Sequence, residues 1–307
     1  MKIQIYKGCF DTKIESEDNT FTFVNPEVKN LYLLLKQGGH EVELLSPCDI
    51  NQTHIKESTH KILVNSRFYS KGDELDSRCQ KELQEVKEIF NNSIPQLQCI
   101  TDPKIVEKNG SLLAGIHFTN ITQSPLMPEY AEYEKIFLYN NMPTFNNNRN
   151  SKIIYIGNER SGKRKDGIDN FLINSGVDFD LFGGIQGSKG KIKYKDSQNL
   201  ISNYTAGLCI TEDLYQRIGH RTPRLFEYLL AGTIPFCESN FPRDLNIIDN
   251  EDFRVVHDGV ELKDKLNFLN RFSSFRTRLQ LKGYQALKSE YFTGEYQLKI
   301  LENILDG

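Results

Sequence analysis

Short apolar runs alternate with amphipathic stretches along the whole 307-residue chain. In the first half, strands are predicted at Lys2–Tyr6, Glu41–Leu45, Lys61–Asn65, Leu97–Thr101 and Ile136–Tyr139, and helices from Asn25-Pro26 and over Ser77–Asn91. In the second half, strands are predicted at Ile153–Ile156, Phe179–Phe182, Ala206–Ile210, Thr233–Cys237 and Phe253–Val256, before a mostly helical stretch from about Leu262 to Leu305. Repeated strand–helix–strand order is typical of a parallel sheet covered by helices, so the sequence predicts an α/β protein.

A polar run without periodicity, Asn146 to Asn150, separates the two series and is typical of a linker. A chain of this length is expected to hold about two domains. We therefore predict two doubly wound Rossmann-like domains, residues 1–148 and 149–307, that face each other across a cleft. Whether the last helix packs back on the first domain stays open. Ligands of such sheets bind beyond the carboxyl ends of the strands.

Composition limits the classes of protein that fit. The net charge of −3 argues against nonspecific coating of nucleic acid but not against a local basic groove. The six cysteines form no C-x-x-C pair, which indicates reduced, buried thiols. No apolar run approaches the roughly 18 residues needed to cross a bilayer. The opening residues favour a strand over a signal peptide, so we expect a cytoplasmic protein without membrane contact.

Two predicted helix starts carry cations where a helix prefers acids. The first runs from Gly157 to Lys165 and the second from His220 to Glu227. The N-terminal end of a helix is partly positive, so cations there are unfavourable unless something balances them. Free backbone N–H groups at both starts can bind the same anion. The pattern favours a diphosphate pocket formed by both starts.

The first start also fits the phosphate-loop pattern G-x-x-x-x-G-K, from Gly157 to Lys163. Arg164 stands where that pattern needs a Ser or Thr to hold magnesium. Three interpretations therefore stay open: a nucleotide-hydrolysing loop, a solvated charged face, and a phosphate site of another kind, which we favour.

Other candidate residues have a structural alternative beside the functional one. Arg224 and Glu227 share a helix face; the forked Arg suits a diphosphate and the Glu suits a ribose diol, but a surface ion pair is the alternative. Asp102 ends a strand and can act as a general base, or simply begin a turn before Pro103. Asp178-x-Asp180 is interpreted as the polar face of a strand rather than a metal site, and the basic loop 187–195 as a nucleic-acid contact or a solvated hairpin.

The second half resembles the donor half of the T-even-phage DNA β-glucosyltransferase family. The matching residues are the strand into Gly157, Arg160-Ser161-Gly162 with Arg164, Phe171-Leu172, Leu181-Phe182-Gly183, Gly190-Lys191-Ile192, and Arg224-x-x-Glu227 with Tyr215 upstream. In the first half Glu27, Gly39, Asn65-Ser66 and Thr101-Asp102 fall in a similar order.

The resemblance implies a GT-B fold and transfer of glucose from UDP-glucose to a hydroxymethylated base in double-stranded DNA, with inversion at the sugar. Asp102 would be the catalytic base and Glu27 would lie near the sugar. The donor-binding residues implied are Gly157, Arg160, Arg164, Gly183, Ile192, Tyr215, Arg224 and Glu227. The resemblance implies no protein metal ligand, leaves divalent-metal dependence open, and places the enzyme in the cytoplasm of a phage host. The alternatives are a GT-B transferase with a glycan or small-molecule acceptor and a phosphate-loop module without transfer activity.

Overall fold

The structure is a computed structural model that describes residues 1–7, 26–45, 60–65, 97–100, 117–119, 133–134, 146, 148–158, 162–192, 194–217, 222–243, 247–248, 251–288 and 294–306. It divides into two compact units, unit 1 (Met1–Asn140 with Phe292–Gly307) and unit 2 (Asn141–Tyr291). Labels below apply to the described elements.

The strands are β1 (Lys2–Lys7), β2 (Glu41–Leu45), β3 (His60–Asn65), β4 (Leu97–Ile100), β5 (His117–Thr119), β6 (Tyr133–Glu134), β7 (Asn150–Asn158), β8 (Phe179–Gly184), β9 (Tyr204–Cys209), β10 (Ile234–Glu238) and β11 (Val255–Val256). The α-helices are α1 (Pro26–Gln37), α2 (Lys163–Ile168), α3 (Tyr194–Ser202), α4 (Asp213–Arg217), α5 (Pro223–Leu230), α6 (Gly259–Arg271), α7 (Ser273–Lys288) and α8 (Gly294–Asp306). A π-helical turn, Asp169–Ile173, continues α2.

Both units contain a parallel sheet with the same opening order of strands. Unit 1 has the order β2-β1-β3-β4-β5-β6, and unit 2 has β8-β7-β9-β10-β11. All the strand pairs are parallel. In each sheet the first strand lies between the second and the third, so the chain reverses its direction of winding there. Such a switch point is where open α/β sheets bind their ligands, which in unit 2 is the carboxyl end of β7 and β9.

Unit 1 is completed by the helix that comes last in the sequence. Ile3 and Ile5 of β1 are fully buried, and α1 covers them with Leu31 and Leu35. Helix α8 packs beside α1 and adds Leu301 and Leu305 to the same core. Unit 1 is therefore built from two separate segments of the chain.

The core of unit 2 lies on both faces of its sheet. All residues of β9 are buried, as expected for a central parallel strand. Helix α5 packs directly on this strand at Gly207, where an added Cβ would lie 2.5 Å from the Tyr228 ring. The Tyr228 hydroxyl donates to the Ile154 carbonyl at 3.2 Å. These contacts hold the start of α5 in a fixed position relative to β7.

The predicted α/β architecture is confirmed. Strands β5 and β6 were not predicted from the sequence, but the other described strands agree with predicted ones to within about three residues. The helix predicted over Ser77–Asn91 and the strand predicted over Ile136–Tyr139 lie outside the described residues. The second half of the predicted linker belongs to unit 2. The Arg149 guanidinium donates to the Ala231 carbonyl at 2.7 Å and to the Tyr204 carbonyl at 3.1 Å, and β7 begins at Asn150.

Two further expectations concern cysteines and membranes. Cys209 and Cys237 are free, buried thiols, as predicted. Among the described residues, no helix combines the length and the apolar character that crossing a membrane requires.

Candidate functional site

The two cationic helix starts lie at the same edge of the unit 2 sheet. Helix α2 follows β7 after a short connection, and α5 begins at Pro223 in the first helical position. Tyr155 in β7 lies close enough to both helices for the charges of Arg164 and Arg224 to affect the pKa of its phenol. Burial raises the pKa of the Tyr155 phenol, and the two guanidinium charges act in the opposite direction. The two arginines therefore share one neighbourhood near the carboxyl end of β7.

Arg164 is only partly satisfied by the protein. Its Nη2 atom lies 3.3 Å from Glu212 Oε1, and the exposed fraction of its side chain is 14%. Its Nε atom is buried and has no hydrogen-bond partner among the described residues. A buried N–H without a partner is costly, so this donor fits an anionic ligand. Arg164 replaces the phosphate-loop Ser or Thr with a side chain that pairs with a carboxylate, which weakens the nucleotide-hydrolysing interpretation.

The other cations of the first start have acidic partners of their own. Lys163 Nζ lies 3.0 Å from Asp213 Oδ1, and Lys165 Nζ lies 2.7 Å from Asp169 Oδ2. Helix α2 is also only six residues long, so its dipole is weak. The crowding of cations seen in the sequence is thus largely balanced within the protein, and the argument for a bound anion rests on the arginines.

Arg224 and Glu227 form an ion pair on the first turn of α5. Arg224 Nη1 lies 2.5 Å from Glu227 Oε2. The exposed fraction is 26% for the Arg224 side chain and 6% for that of Glu227, so this is not the surface pair considered as the alternative. Glu227 Oε2 makes this contact without the geometry of a directed hydrogen bond. The carboxylate is therefore more deeply buried than the guanidinium with which it pairs.

Two glycines bring β7 and β8 into close contact at this edge. Gly157 pairs with Gly183, and a Cβ on Gly183 would lie 1.8 Å from the Gly157 carbonyl oxygen. Gly183 also has φ +113°, which side chains rarely adopt. Its N–H donates to the Gly190 carbonyl at 2.9 Å, so the turn from Gly183 to Gly190 folds back on the sheet. Ile192 follows this turn and is half-buried.

Asp180 anchors the same turn from below. The Tyr204 hydroxyl donates to Asp180 Oδ2 at 2.6 Å, and Lys189 Nζ lies 2.8 Å from the same oxygen. Burial alone would raise the pKa of Asp180, but hydrogen bonds from Lys189 and Tyr204 hold it below its ordinary value. The contacts of Asp180 therefore indicate a structural role. In the part of the chain that the structure describes, no three His, Cys, Asp or Glu side chains converge as a metal site.

Two acidic residues of this edge were missed by sequence reasoning. Glu212 pairs with Arg164, and Glu238 ends β10, where it accepts hydrogen bonds from Gln216 Nε2 at 2.5 Å and Thr211 N at 3.3 Å. Burial raises the pKa of Glu238. Glu238 is the last residue of β10, and Glu212 comes three residues after the end of β9. The rule that singled out Asp102, a carboxylate at a strand end, would have found them.

The remaining predicted residues are distributed as follows. Tyr215 is buried in α4, and its neighbours Asp213 and Gln216 contact Lys163. Glu27 lies in the first turn of α1 in unit 1. Arg160 and Asp102 lie outside the described residues.

Comparison with known proteins identifies the fold. No protein-family model and no curated protein sequence matches the chain. Solved structures of glucosyltransferases do match, and they share the predicted GT-B fold. One is T4 phage β-glucosyltransferase in complex with UDP-glucose, which is 16% identical, covers 100% of both chains and has a TM-score of 0.70. The same phage enzyme with UDP and Mn²⁺ has a TM-score of 0.68, with the same identity and coverage.

A third solved structure extends the comparison to a bound nucleic acid. It is an α-glucosyltransferase in complex with UDP-glucose and DNA containing an abasic site. It is 14% identical, covers 100% of this chain and 99% of its own, and has a TM-score of 0.62. At these identities the likeness establishes the fold. The predicted resemblance in fold to the T-even-phage β-glucosyltransferase is confirmed over the full length of the chain.

Proposed function

We propose that this chain transfers glucose from UDP-glucose to the hydroxymethyl group of a modified base in double-stranded DNA, with inversion at the anomeric carbon. The observation that carries the proposal is that the charges of Arg164 and Arg224 both act on the Tyr155 phenol, close to the carboxyl end of β7. This edge belongs to a chain with the fold of enzymes whose structures hold UDP-glucose. Unit 2 then provides the donor site and unit 1 the acceptor site.

The donor site has the chemistry that a nucleotide sugar needs. The leaving UDP gains negative charge as the bond to the sugar breaks, and preorganised guanidinium groups stabilise such a charge. Arg164 and Arg224 supply these groups, together with Arg160. Glu227 accepts hydrogen bonds from the ribose hydroxyls. The close glycine pair at Gly157 leaves the backbone accessible at the strand end.

Three more residues complete the donor site in this proposal. The turn that leads to Ile192 receives the uracil ring. Tyr215 and Gly183 support the site through the positions of α4 and of that turn. This assignment is supported most directly by Arg164, whose buried Nε atom has no hydrogen-bond partner among the described residues.

The acceptor chemistry is a direct displacement. Asp102 removes the proton of the base's hydroxymethyl group, and the oxygen attacks the anomeric carbon of glucose. The bond from that carbon to the diphosphate oxygen breaks, and its electron pair leaves with UDP. Glu27 lies near the sugar. The target base has to leave the duplex stack for its hydroxyl group to reach the donor.

A second acceptor class is favoured by one observation, the acidic character of the whole chain. Its net charge is −3 and its isoelectric point is about 6.1. A glycan or small-molecule acceptor requires no basic surface, whereas a DNA acceptor requires at least a local one.

The test uses the Asp102→Asn variant, which keeps the shape of the side chain but removes the base. UDP binding should be retained, because the proposed donor residues belong to unit 2. The rate of glucose transfer should fall about a hundredfold to ten-thousandfold. Mass spectrometry measures the gain of one hexose per modified base, on duplexes that contain hydroxymethylcytosine or hydroxymethyluracil. Asp178→Asn, at an exposed position, is the matched control and should transfer normally.

Each outcome decides between the candidates. Full transfer by Asp102→Asn contradicts the base assignment. Wild-type protein that binds UDP-glucose but glucosylates neither duplex contradicts the DNA acceptor and favours the glycan class. Failure to bind UDP-glucose contradicts the donor site.

A further inference from the structure

Helix α7 concentrates positive charge in a chain that is acidic overall. Its sixteen residues include four cations, Arg276, Arg278, Lys282 and Lys288, and no acid. The preceding residues add Arg271 at the end of α6. This helix belongs to unit 2 but takes no part in the donor site described above.

One side of α7 is fixed and the other is open to solvent. Gly283 faces α5, where an added Cβ would lie 2.7 Å from Leu229, so the two helices are in close contact. Gln280 is buried on the same side. The open side carries hydroxyl, amide and cationic groups around one exposed apolar residue, Leu281. Its exposed polar members are Ser273, Ser274, Thr277, Arg278, Lys282 and Gln285. We call these six residues the α7 strip.

Two of the cations at this surface, Arg271 and Arg278, contact aromatic rings. The Arg278 guanidinium lies 5.2 Å from the centre of the Phe275 ring, and the Arg271 guanidinium lies 5.5 Å from that of Phe272. Within the described ranges, neither these two residues nor Lys282 forms an ion pair. In contrast, the cations of α2 all have acidic partners. A ring contact orders a guanidinium and leaves its charge available to a partner.

Two acids lie beside the strip, but they do not neutralise all of its positive charge. Glu251 and Asp252 line a cavity that Arg278 and Lys282 also border. Asp252 pairs with the buried Arg254, whose Nη2 atom lies 2.6 Å from Asp252 Oδ2, and the charge of Lys282 also helps to lower the pKa of Asp252. The two acids thus face three cations: Arg254, Arg278 and Lys282. Positive charge on the strip therefore exceeds negative charge nearby.

We propose that the α7 strip binds the phosphate backbone of double-stranded DNA, as a contact separate from the site that holds the target base. Arg, Lys, Ser, Thr and Gln side chains are those that commonly contact phosphates and fix a protein's register on a duplex. From Ser273 to Gln285 the helix extends about 18 Å, alongside roughly five phosphates of one strand. The inference rests on the proposed function for its choice of DNA. It accounts for how a chain with a net charge of −3 binds a polyanion.

The experiment compares the salt dependence of DNA binding in two double variants of the full chain. Arg278→Gln with Lys282→Gln removes two charges from the strip. Lys152→Gln with Lys263→Gln removes two charges from β7 and α6, elsewhere in unit 2, and is the matched control. Each lost phosphate contact should lower the slope of log K against log salt by about 0.9. The strip variant should therefore lose about 1.8 from its slope and the control should lose nothing, with UDP affinity unchanged in both.

The outcomes separate this inference from the proposed function. An unchanged slope in the strip variant, or an equal fall in the control, overturns the inference and leaves an acidic protein surface as the remaining kind of partner. If the wild-type protein transfers glucose to DNA but the strip variant keeps the wild-type slope, the inference fails and the proposed function stands. A reduced slope in a protein that transfers no glucose supports the strip while the proposed function fails.

Discussion

Glu227 provides the sharpest test of the donor site, because its two suggested roles, binding the ribose and orienting Arg224, predict different results for UDP and for inorganic diphosphate. The variant is Glu227→Gln, which keeps the size of the side chain and removes its charge. If Glu227 binds the ribose, UDP should bind more weakly, whereas inorganic diphosphate, which has no ribose, should not. The diphosphate should bind as well as before or better, because Arg224 is released from a carboxylate at 2.5 Å.

The expected magnitudes follow from the burial of the pair. A hydrogen bond to a charged group contributes about 1.5–3 kcal/mol and one between neutral groups about 0.5–1.5 kcal/mol. Because the Gln amide oxygen still accepts a hydrogen bond, the loss in UDP affinity should be roughly fivefold to tenfold. Removing one partner of a fully buried ion pair costs about 3–5 kcal/mol. Because the Arg224 side chain is 26% exposed, water compensates part of this cost. We expect the free energy of unfolding to fall by about 1–3 kcal/mol.

Isothermal calorimetry with UDP and with inorganic diphosphate measures both affinities, and urea unfolding measures stability. Glu261→Gln is the control, since Glu261 also pairs with a cation, Lys265, at 2.7 Å, but on α6. Its affinity for both ligands should equal that of the wild type. If Glu227→Gln weakens UDP and diphosphate by the same factor, the ribose role is refuted and Glu227 serves only to orient Arg224.

Three other changes test the same edge of the sheet. Arg164→Ala should weaken UDP binding by about tenfold or more by calorimetry, and unchanged affinity would remove Arg164 from the donor site. Gly183→Ala should lower the free energy of unfolding by at least about 2 kcal/mol, because its Cβ would clash with Gly157; Gly187→Ala, at a similar positive φ in open space, should cost less, and equal costs would contradict the close contact. Burial raises the pKa of Glu238, so its ionisation destabilises the folded state as pH rises above the ordinary value of 4.5. Glu238→Gln should therefore gain stability relative to wild type between acidic and neutral pH in urea unfolding, and a pH-independent difference would rule this out.

The elements of the fold were predictable because their signals are local. The strand predicted at Glu41–Leu45 is β2 with the same bounds, since it is short, begins with alternating acidic and apolar residues and is preceded by Gly38-Gly39. The helix start at Pro26 is likewise set by local residues, with Asn25 before it. Each signal depends on a few neighbouring residues, and tertiary contacts reinforce it.

The partners within the site were not predictable, because they join residues from different elements. The bond from Gln216 to Glu238 depends on how β9 and β10 align, and no local period encodes that register. The Arg164–Glu212 pair likewise joins α2 to the end of β9. Sequence patterns identified the cations at the first helix start but not the acids that balance them, so the predicted charge was greater than the structure shows.

The division of unit 1 into two segments has a consequence for synthesis on the ribosome. Leu301 and Leu305 complete the core that Ile3 and Leu31 begin, yet they are translated after the whole of unit 2. Domains usually fold in the order in which they emerge, the N-terminal one first. Here the first segment of unit 1 cannot complete its core until α8 has been translated. Unit 2 is a single continuous segment and is translated in full before α8. Unit 1 is therefore the first to start translation and the last to complete its fold. Until α8 has been translated, the surface of α1 that α8 covers is accessible to chaperones.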